Sequence, residues 1–401
     1  MIGARRAALT LAAVAIVAIA AVTGSTASTQ QVSTVVIGWA FDGSGAMAPF
    51  DGPALATART RIAQVNRTSR NIKLRLITCD TQGNKPAVAK ACAARMLGRG
   101  ADVIFTTCDV DFAAPVVQES INAGKLTIAP CIGTDQMGPK RFGAKGRLAF
   151  SFGNVAQDEG SAMAEFAWRR GWRSAALATD TVIVYFRNVV QAFEARWRQL
   201  GGRIVAEETY QSLGGNQASW NNVVTRLNAR RADVIVTATA AAFGAQVPII
   251  NGLRTLRNST PILNSWAGDG NYWYTPNPRV TNYYYVTFAS AFGDDPVRAV
   301  NQLVRQNRGA IAKGGSTGGF ITGPAAIDGL MAALRRAGGS TDGARLAAQM
   351  ERFRNVPTLS GRVSFTRQLH TVFGRQYRVI RVENNRPRVI GTVKAKVVPK
   401  I

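Results

Sequence analysis

Two carboxylate residues, Asp109 and Asp111, follow an apolar segment of this 401-residue chain and could contact a ligand. That segment, Asp102–Thr107, is rich in β-branched residues and predicts a strand. A carboxylate just beyond a strand can accept a hydrogen bond from a donor-rich or cationic ligand. Asp is equally suited to cap the helix that we predict from Ala114, so the sequence leaves both roles open.

Aromatic, hydroxyl and acidic residues recur after the other predicted strands. In open parallel sheets, ligands bind beyond the carboxyl ends of the strands. Apolar walls with a few fixed polar groups are typical of a small-molecule pocket. We therefore predict that a ligand is bound by Trp39, Phe41, Ser44, Cys108, Asp109, Asp111, Phe112, Gly133, Thr134, Asp180, Tyr185, Thr239, Trp266 and Asp269.

Signatures of catalysis and of metal binding are weak. His370 is the only histidine in the sequence, which excludes a metal site built from several histidines. We predict no catalytic residue, no metal and no cofactor. A hydrolase or lyase that uses Asp109, Asp111 or Asp180 is the weakest of the alternatives, because it needs a reactive pair with separated pKa values.

The elements that position these residues are strands alternating with helices. Four strands separated by helical segments predict a parallel, doubly wound sheet: Val35–Trp39, Ile72–Ile77, Asp102–Thr107 and Leu126–Ala129. The pattern then begins again with a helix at Asp158–Arg170 and a strand at Ser174–Ala178. The fold class predicted is therefore α/β with two lobes of similar size, and the remaining segments complete them.

The first residues have the layout of a secretory signal. Arg5 and Arg6 precede an uncharged apolar run, Ala7–Val22, and the small residues Ser25–Ala27 follow. We predict a signal peptide over residues 1–27, cleaved after Ala27. An uncleaved membrane anchor is the alternative, although the apolar run is short for a span of about 20 residues.

The chain has four cysteines, Cys79, Cys92, Cys108 and Cys131. In an exported protein, an even number of cysteines favours disulfides. Of the three possible pairings we favour Cys79–Cys92 with Cys108–Cys131. Free buried thiols are the alternative.

The charge balance is strongly basic, with 49 Lys and Arg against 23 Asp and Glu and a net charge of +26. The basic residues are scattered, and many fall on the polar faces of predicted helices. No Lys/Arg-rich block, zinc-finger spacing or stacking-aromatic motif accompanies them. We read the charge as a solvated surface and predict no nucleic-acid partner.

In the order of its elements the sequence resembles the type I periplasmic binding proteins. It is most similar to the substrate-binding proteins of branched-chain amino-acid-type ABC importers, the leucine/isoleucine/valine-binding group. Each matching segment is weak alone, and it is their order and spacing that are specific. The segments are Val36–Gly38, Ala101–Phe105, Phe193–Glu194, Gly201–Val205, Ala232–Val236 and Gly323–Asp328.

The resemblance implies two lobes joined by three crossovers, near Phe150, Thr287 and Val363. The first lobe would comprise residues 34–150 and 288–362, and the second residues 151–287 and 363–401. It further implies a periplasmic, monomeric protein without enzyme activity, which closes around a small solute and docks on the permease subunits of an ABC importer. The membrane would be reached only through the permease. An extracellular sensing domain of a receptor system, with the same fold and pocket, is the runner-up.

The departures from the family pattern concern the ligand. Members usually hold a ligand carboxylate with a Ser/Thr-rich loop after the third strand, where this chain has the acidic and aromatic Cys108–Phe112. Trp266 takes the place of the second-lobe acidic residue that usually binds the ligand ammonium, while Thr134 and Tyr185 fit the pattern. Because Asp109 would repel a carboxylate, we expect an amide, amine, aromatic or other small polar solute, and not a simple α-amino acid.

Overall fold

The computed structural model describes residues 33–314 and 319–400, and the predicted signal peptide, residues 1–27, lies outside them. Strands and helices alternate from the start of the described chain. The elements are β1 (Ser33–Phe41), α1 (Ala48–Thr68), β2 (Ile72–Asp80), α2 (Pro86–Gly98), β3 (Val103–Phe105), α3 (Val110–Asn122), β4 (Leu126–Ala129), α4 (Pro139–Phe142) and β5 (Ala149–Asn154).

The alternation repeats in the middle of the chain. Its elements are α5 (Ala156–Arg169), β6 (Ser174–Asp180), α6 (Val184–Gln199), β7 (Arg203–Tyr210), α7 (Gln217–Asn228), β8 (Val234–Ala238), α8 (Gln246–Thr255), β9 (Ile262–Asn264) and β10 (Tyr283–Thr287). The last part is helical before it returns to strands. It comprises α9 (Arg298–Gln306), α10 (Arg308–Gly314), α11 (Gly319–Arg336), α12 (Gly343–Met350), β11 (Val356–Thr358), β12 (Gly361–Val363), β13 (Thr371–Val372), β14 (Tyr377–Glu383) and β15 (Arg386–Val393).

Two large sheets define two lobes, which confirms the predicted α/β fold. The first sheet has the order β13-β5-β4-β3-β1-β2, and all its strand pairs are parallel. The second has the order β15-β14-β10-β9-β8-β6-β7. Its edge departs from the all-parallel prediction, because β14 is antiparallel to both β10 and β15. An antiparallel edge on a mostly parallel sheet is common in doubly wound folds.

Side chains on β1 show how the helices cover the first sheet. Successive side chains of a strand point to opposite faces. Val35 and Ile37 belong to the buried cluster that includes α1 and α11, whereas Val36 packs with residues of α2. On the same face as Val36, Gly38 lets α2 approach the sheet closely, since a Cβ at Gly38 would lie 2.9 Å from the Met96 Cβ.

The strand pairing places two of the three crossovers later than the sequence suggested. Ala149–Asn154 is fully buried and pairs with β4, so the chain stays in the first lobe past Phe150. Strand β13, Thr371–Val372, pairs with β5, which keeps the chain in the first lobe beyond Val363. The chain therefore crosses after Asn154, after Thr287 and between β13 and β14. Strand β13 has two residues, too few to show a periodicity.

The structure joins both cysteine pairs that the sequence favoured. Cys79 at the end of β2 is bonded to Cys92 in α2, with a sequence separation of 13. Cys108 and Cys131 join the loops after β3 and β4. Among the described residues, no helix combines the length and apolar character that crossing a bilayer requires.

Candidate ligand-binding site

A small cavity lies between the two lobes, beyond the carboxyl ends of strands from both sheets. Its volume is about 20 Å³, roughly what one water molecule needs. The lobes are therefore closed on each other. The cavity is lined by Met47, Phe50, Cys108, Asp109, Gly133, Ile183, Tyr185, Phe186, Phe243, Trp266 and Ala267.

Trp266 is the centre of the aromatic packing in this cleft. Its ring centroid is 5.2 Å from that of Phe50 in the first lobe, in an edge-on arrangement. In the second lobe it stacks on Phe288 at 5.0 Å and meets Tyr185 at 6.3 Å. Edge-on and stacked pairs of this kind each contribute about 0.5–1.5 kcal/mol beyond the area they bury. The same indole thus contacts both lobes and fills the space between them.

Asp109 caps α3, which is one of the two roles that the sequence left open. Its Oδ1 accepts hydrogen bonds from the backbone N–H groups of Asp111 (2.8 Å) and Phe112 (3.4 Å), so it caps α3. It is also buried and lines the cavity. Burial, and then the negative charge of Asp111, raise the pKa of Asp109 to about 7. A cation in the cavity would favour the ionised form of this carboxyl.

Glu159 is a second buried carboxyl at the site, and the sequence analysis missed it. Its Oε1 accepts a hydrogen bond from the Tyr185 hydroxyl (2.9 Å) and another from the Trp266 backbone N–H (2.7 Å). Its Oε2 has no hydrogen-bond partner among the residues that the structure describes. Burial raises its pKa to about 8. Glu159 lies in the first turn of α5 and not at a strand end. The acidic pair Asp158-Glu159 in that first turn was the available signal.

A third buried carboxyl, Asp51 of α1, supports the cleft from the first lobe. It accepts hydrogen bonds from the backbone N–H groups of Asp42 (2.8 Å) and Cys108 (2.9 Å), which ties together the loops after β1 and β3. Burial raises its pKa to about 8. Asp42 in turn accepts from N–H groups of its own loop, Ser44, Gly45 and Met47. It also accepts from the Gly83 N–H and the Asn84 side chain, so it ties this loop to the one after β2.

Five of the predicted ligand-binding residues line the cavity. They are Cys108, Asp109, Gly133, Tyr185 and Trp266. Two more bridge the lobes at its rim. Asp111 accepts a hydrogen bond from the Val184 N–H across the cleft (3.1 Å) and pairs with Arg141 (2.6 Å). Phe112 faces Phe243 of the second lobe with a centroid distance of 6.3 Å.

The other predicted residues do not belong to the cavity lining. Trp39 is fully buried in the core of the first lobe, 4.9 Å from the Phe105 ring, and Phe41 packs on the same core. Both side chains project from β1 onto the face that α1 and α11 cover. Position at a strand end identifies a region but not the face to which a side chain points.

The remaining polar candidates are hydrogen-bonded to groups of the protein. In the second lobe the Thr239 hydroxyl donates to Asp180 (2.7 Å) and the Thr287 hydroxyl donates to Asp269 (2.7 Å). The Thr134 carbonyl accepts from Thr371 (2.7 Å). Ser44 donates its N–H to Asp42, as described above. In the closed form these groups support the loops around the cleft.

The structure thus has two α/β lobes with a small buried cavity between them. A family model described as periplasmic binding protein matches residues 34–387, most of the chain. The chain therefore belongs to the periplasmic binding protein family, and its resemblance to the type I, branched-chain amino-acid group is confirmed. No curated protein sequence matches it significantly.

Solved structures of similar fold cover 90% of the chain. The branched-chain amino acid transporter substrate-binding protein LivJ of Streptococcus pneumoniae, in complex with isoleucine, is 16% identical, is covered over 100% of its length and has a TM-score of 0.74. The leucine-binding protein LivK of Thermotoga maritima is 17% identical, with 98% coverage and a TM-score of 0.72. A solute-binding protein of an ABC transporter from Rhodopseudomonas palustris HaA2, in complex with p-hydroxybenzoic acid, is 14% identical, with 98% coverage and a TM-score of 0.75. At these identities the likeness concerns the fold.

Proposed function

We propose that this protein is exported, captures a small polar organic solute between its lobes and delivers it unchanged to the permease subunits of an ABC importer. Membership of the periplasmic binding protein family supports the proposal. So do the solved structures of similar fold, several of which are substrate-binding proteins of ABC transporters. In this proposal it acts as a monomer, in the periplasm, without a cofactor or a nucleic-acid partner.

The observation that carries the proposal is a closed cleft to which both lobes contribute side chains. Phe50 and Asp109 come from the first lobe, and Tyr185, Phe243 and Trp266 from the second. Closure can be driven by a ligand only if the ligand has contacts in the closed form that it lacks in the open form. A cavity shared between lobes supplies that difference. Its small volume means that the rings around Trp266 must rearrange as the solute enters.

The lining also bears on the kind of solute. Among the described residues that line the cavity there is neither a lysine nor an arginine, and Asp109 is the charged residue. A simple α-amino acid would bring its carboxylate to this lining without a cationic partner. Charge of the same sign in a buried site is unfavourable. We therefore keep the proposal that the solute is not a simple α-amino acid.

The experiment is a thermal-shift screen of the mature chain, residues 28–401, against a library of small metabolites. A true solute at a hundred times its dissociation constant should stabilise the protein by about 2.7 kcal/mol. Each hit is then incubated with the protein and recovered for mass spectrometry, where it should be unaltered. Loss of the shift in Trp266→Ala, with the shift retained in a variant of the remote helix cap Asp342→Asn, would support the cleft as its site. Turnover of the hit, or a shift that persists in Trp266→Ala, would contradict the proposal.

A further inference from the structure

Two buried carboxyl groups converge on the aromatic cavity from opposite lobes. Asp109 lines it from the first lobe and is 3% exposed. Glu159 is fully buried in the second lobe and is hydrogen-bonded to two lining residues, Tyr185 and Trp266. One acidic group therefore borders the cavity directly, and a second lies behind two residues of the opposite wall.

The rest of the lining is suited to a positive charge. Five aromatic residues contribute to it: Phe50, Tyr185, Phe186, Phe243 and Trp266. The face of an aromatic ring is electronegative, and a cation within about 6 Å of the ring centroid is attracted to it, most strongly in a site without water. Aromatic rings and carboxylates together attract a cation and disfavour an anion.

One acceptor at the site is unused. Glu159 Oε2 is buried and has no hydrogen-bond partner within residues 33–314 and 319–400. A buried polar atom without a partner typically costs about 1–3 kcal/mol. An N–H group of a bound amine would remove that penalty. The Trp266 indole Nε1 likewise lacks an acceptor, which an oxygen atom on the solute would supply.

We infer that the solute is a small organic cation, an amine or quaternary ammonium on a compact apolar body, held in the aromatic cavity between Asp109 and Glu159. The inference rests on the proposed function and narrows its ligand. It separates this cleft from that of the structurally similar protein described with p-hydroxybenzoic acid, since an acid would meet no basic side chain in this lining.

The nearest cationic groups do not reverse this reasoning. Arg141 is paired with Asp111 at the rim, outside the cavity lining. Arg375 is buried and lies behind Phe288, 4.7 Å from the ring centroid, with one nitrogen donating to the Phe152 carbonyl. Its Nε and Nη1 lack hydrogen-bond partners. A carboxylate could reach Arg375 only after Phe288 and the Trp266 ring stacked on it had moved.

The first experiment lets the protein choose among charge classes. The mature protein is dialysed against a mixture with equal numbers of cationic, neutral and anionic small metabolites, and the enriched compounds are identified by mass spectrometry. Enrichment of cations supports the inference. Enrichment of neutral or anionic solutes overturns it but leaves solute capture intact, whereas enrichment of none overturns both.

Calorimetry with isosteric probes then isolates the charge. One set is choline, 3,3-dimethyl-1-butanol and 3,3-dimethylbutanoate, and a second is tyramine, 4-propylphenol and 3-(4-hydroxyphenyl)propanoate. In the set whose shape the enriched solutes resemble, the cation should bind at least tenfold more tightly than the neutral probe, and the anion should bind most weakly. Equal affinity of cation and neutral probe would overturn the inference. So would an anion preference that Arg375→Gln abolishes.

Two variants test the named carboxyl groups. Asp109→Asn keeps an oxygen that can cap α3, and Glu159→Gln keeps the acceptor for Tyr185 and Trp266, so neither needs to unfold the site. Each should reduce the cation's affinity tenfold or more and narrow its advantage over the neutral probe. Asp342→Asn is the matched control, because Asp342 caps α12 by accepting from the Arg345 N–H (2.8 Å) far from the cleft. A purely structural role for Asp109 would leave the preference among probes unchanged.

The pH dependence gives an independent readout. With pKa values near 7 and 8, Asp109 and Glu159 hold protons that a bound cation must displace, so cation affinity should rise from pH 6 to pH 8. The charged and titratable groups around Asp109 are Asp111 and Arg141, and those around Glu159 are Asp158, Tyr185, Tyr377 and Arg375. Asp109→Asn should flatten the profile. Affinity that falls with pH would overturn the inference.

Discussion

Replacing Gly133 with alanine should hold the lobes apart. Gly133 follows β4 in the first lobe, and a Cβ there would lie 2.6 Å from Tyr185 Cε2, 2.7 Å from Cδ2 and 3.2 Å from the Asn154 carbonyl oxygen. Tyr185 belongs to α6 of the second lobe. Its ring cannot easily turn away, because its hydroxyl is bonded to Glu159 and it packs against Phe186 and Trp266.

The size of the effect follows from the packing. An added methyl group in a well-packed interior costs about 1–3 kcal/mol. The two contacts with Tyr185 join the lobes, so their cost falls on the closed form, whereas the longer contact with the Asn154 carbonyl lies within the first lobe. Ligand affinity depends on the free energy of closing, so Gly133→Ala should weaken it about 5- to 150-fold. The unfolding of the separated lobes should be affected only by the Asn154 contact.

Two measurements check this reasoning. Calorimetry with the solute found in the screen gives the loss of affinity, and small-angle scattering of the free protein should show a larger radius of gyration. Gly52→Ala is the control, because a Cβ at Gly52 in α1 has no atom within 4 Å. That variant should keep the affinity. If Gly133→Ala binds and scatters like the wild type, the lobes do not close as the structure has them.

Two further predictions concern stability. The raised pKa of Glu159, about 8 against an unfolded value near 4.5, means that the native state binds its proton more tightly, so the free energy of unfolding should fall between pH 5 and pH 8. Glu159→Gln should reduce that slope by up to about 1.4 kcal/mol per pH unit, measured by urea unfolding across the range, and an unchanged slope would contradict the burial of this carboxyl. Replacing both Cys79 and Cys92 with serine should lower the free energy of unfolding by about 3 kcal/mol. The disulfide joins residues 13 positions apart, and without it the unfolded chain gains conformational entropy. Equal stability of the variant and the oxidised wild type would argue against this disulfide.

The sequence was sufficient to predict the lobes because their signals are local. Apolar β-branched runs such as Val234–Ala238 and amphipathic helices such as α6 show their periodicity within a few residues. The pairing of β13 with β5 is not local. It joins Thr371 to Ser151 across more than half of the chain, and only the folded sheet reveals it.

The site was half predictable for a related reason. Strand ends located Cys108, Asp109 and Trp266, because the topology of a parallel sheet brings those positions to one edge. Phe50 and Phe186 lie within helices, and their sequence neighbourhoods give no sign that they line a cleft. Lobe closure brings them there. Their place in the lining depends on how the two lobes are positioned relative to each other, and no sequence pattern within either lobe encodes that position.

Glu159 is the carboxyl group that the second lobe places beside Trp266. The family resemblance implies an acidic residue where this chain has Trp266, and the sequence offers Asp269 three residues further on. The structure has a carboxyl from another element, since Glu159 of α5 accepts the hydrogen bond of the Trp266 backbone N–H. The aromatic ring and the acid are therefore neighbours in the second lobe. Together with Asp109 opposite, this arrangement gives the cleft an acidic group from each lobe, and it is the reason that we expect a cation there.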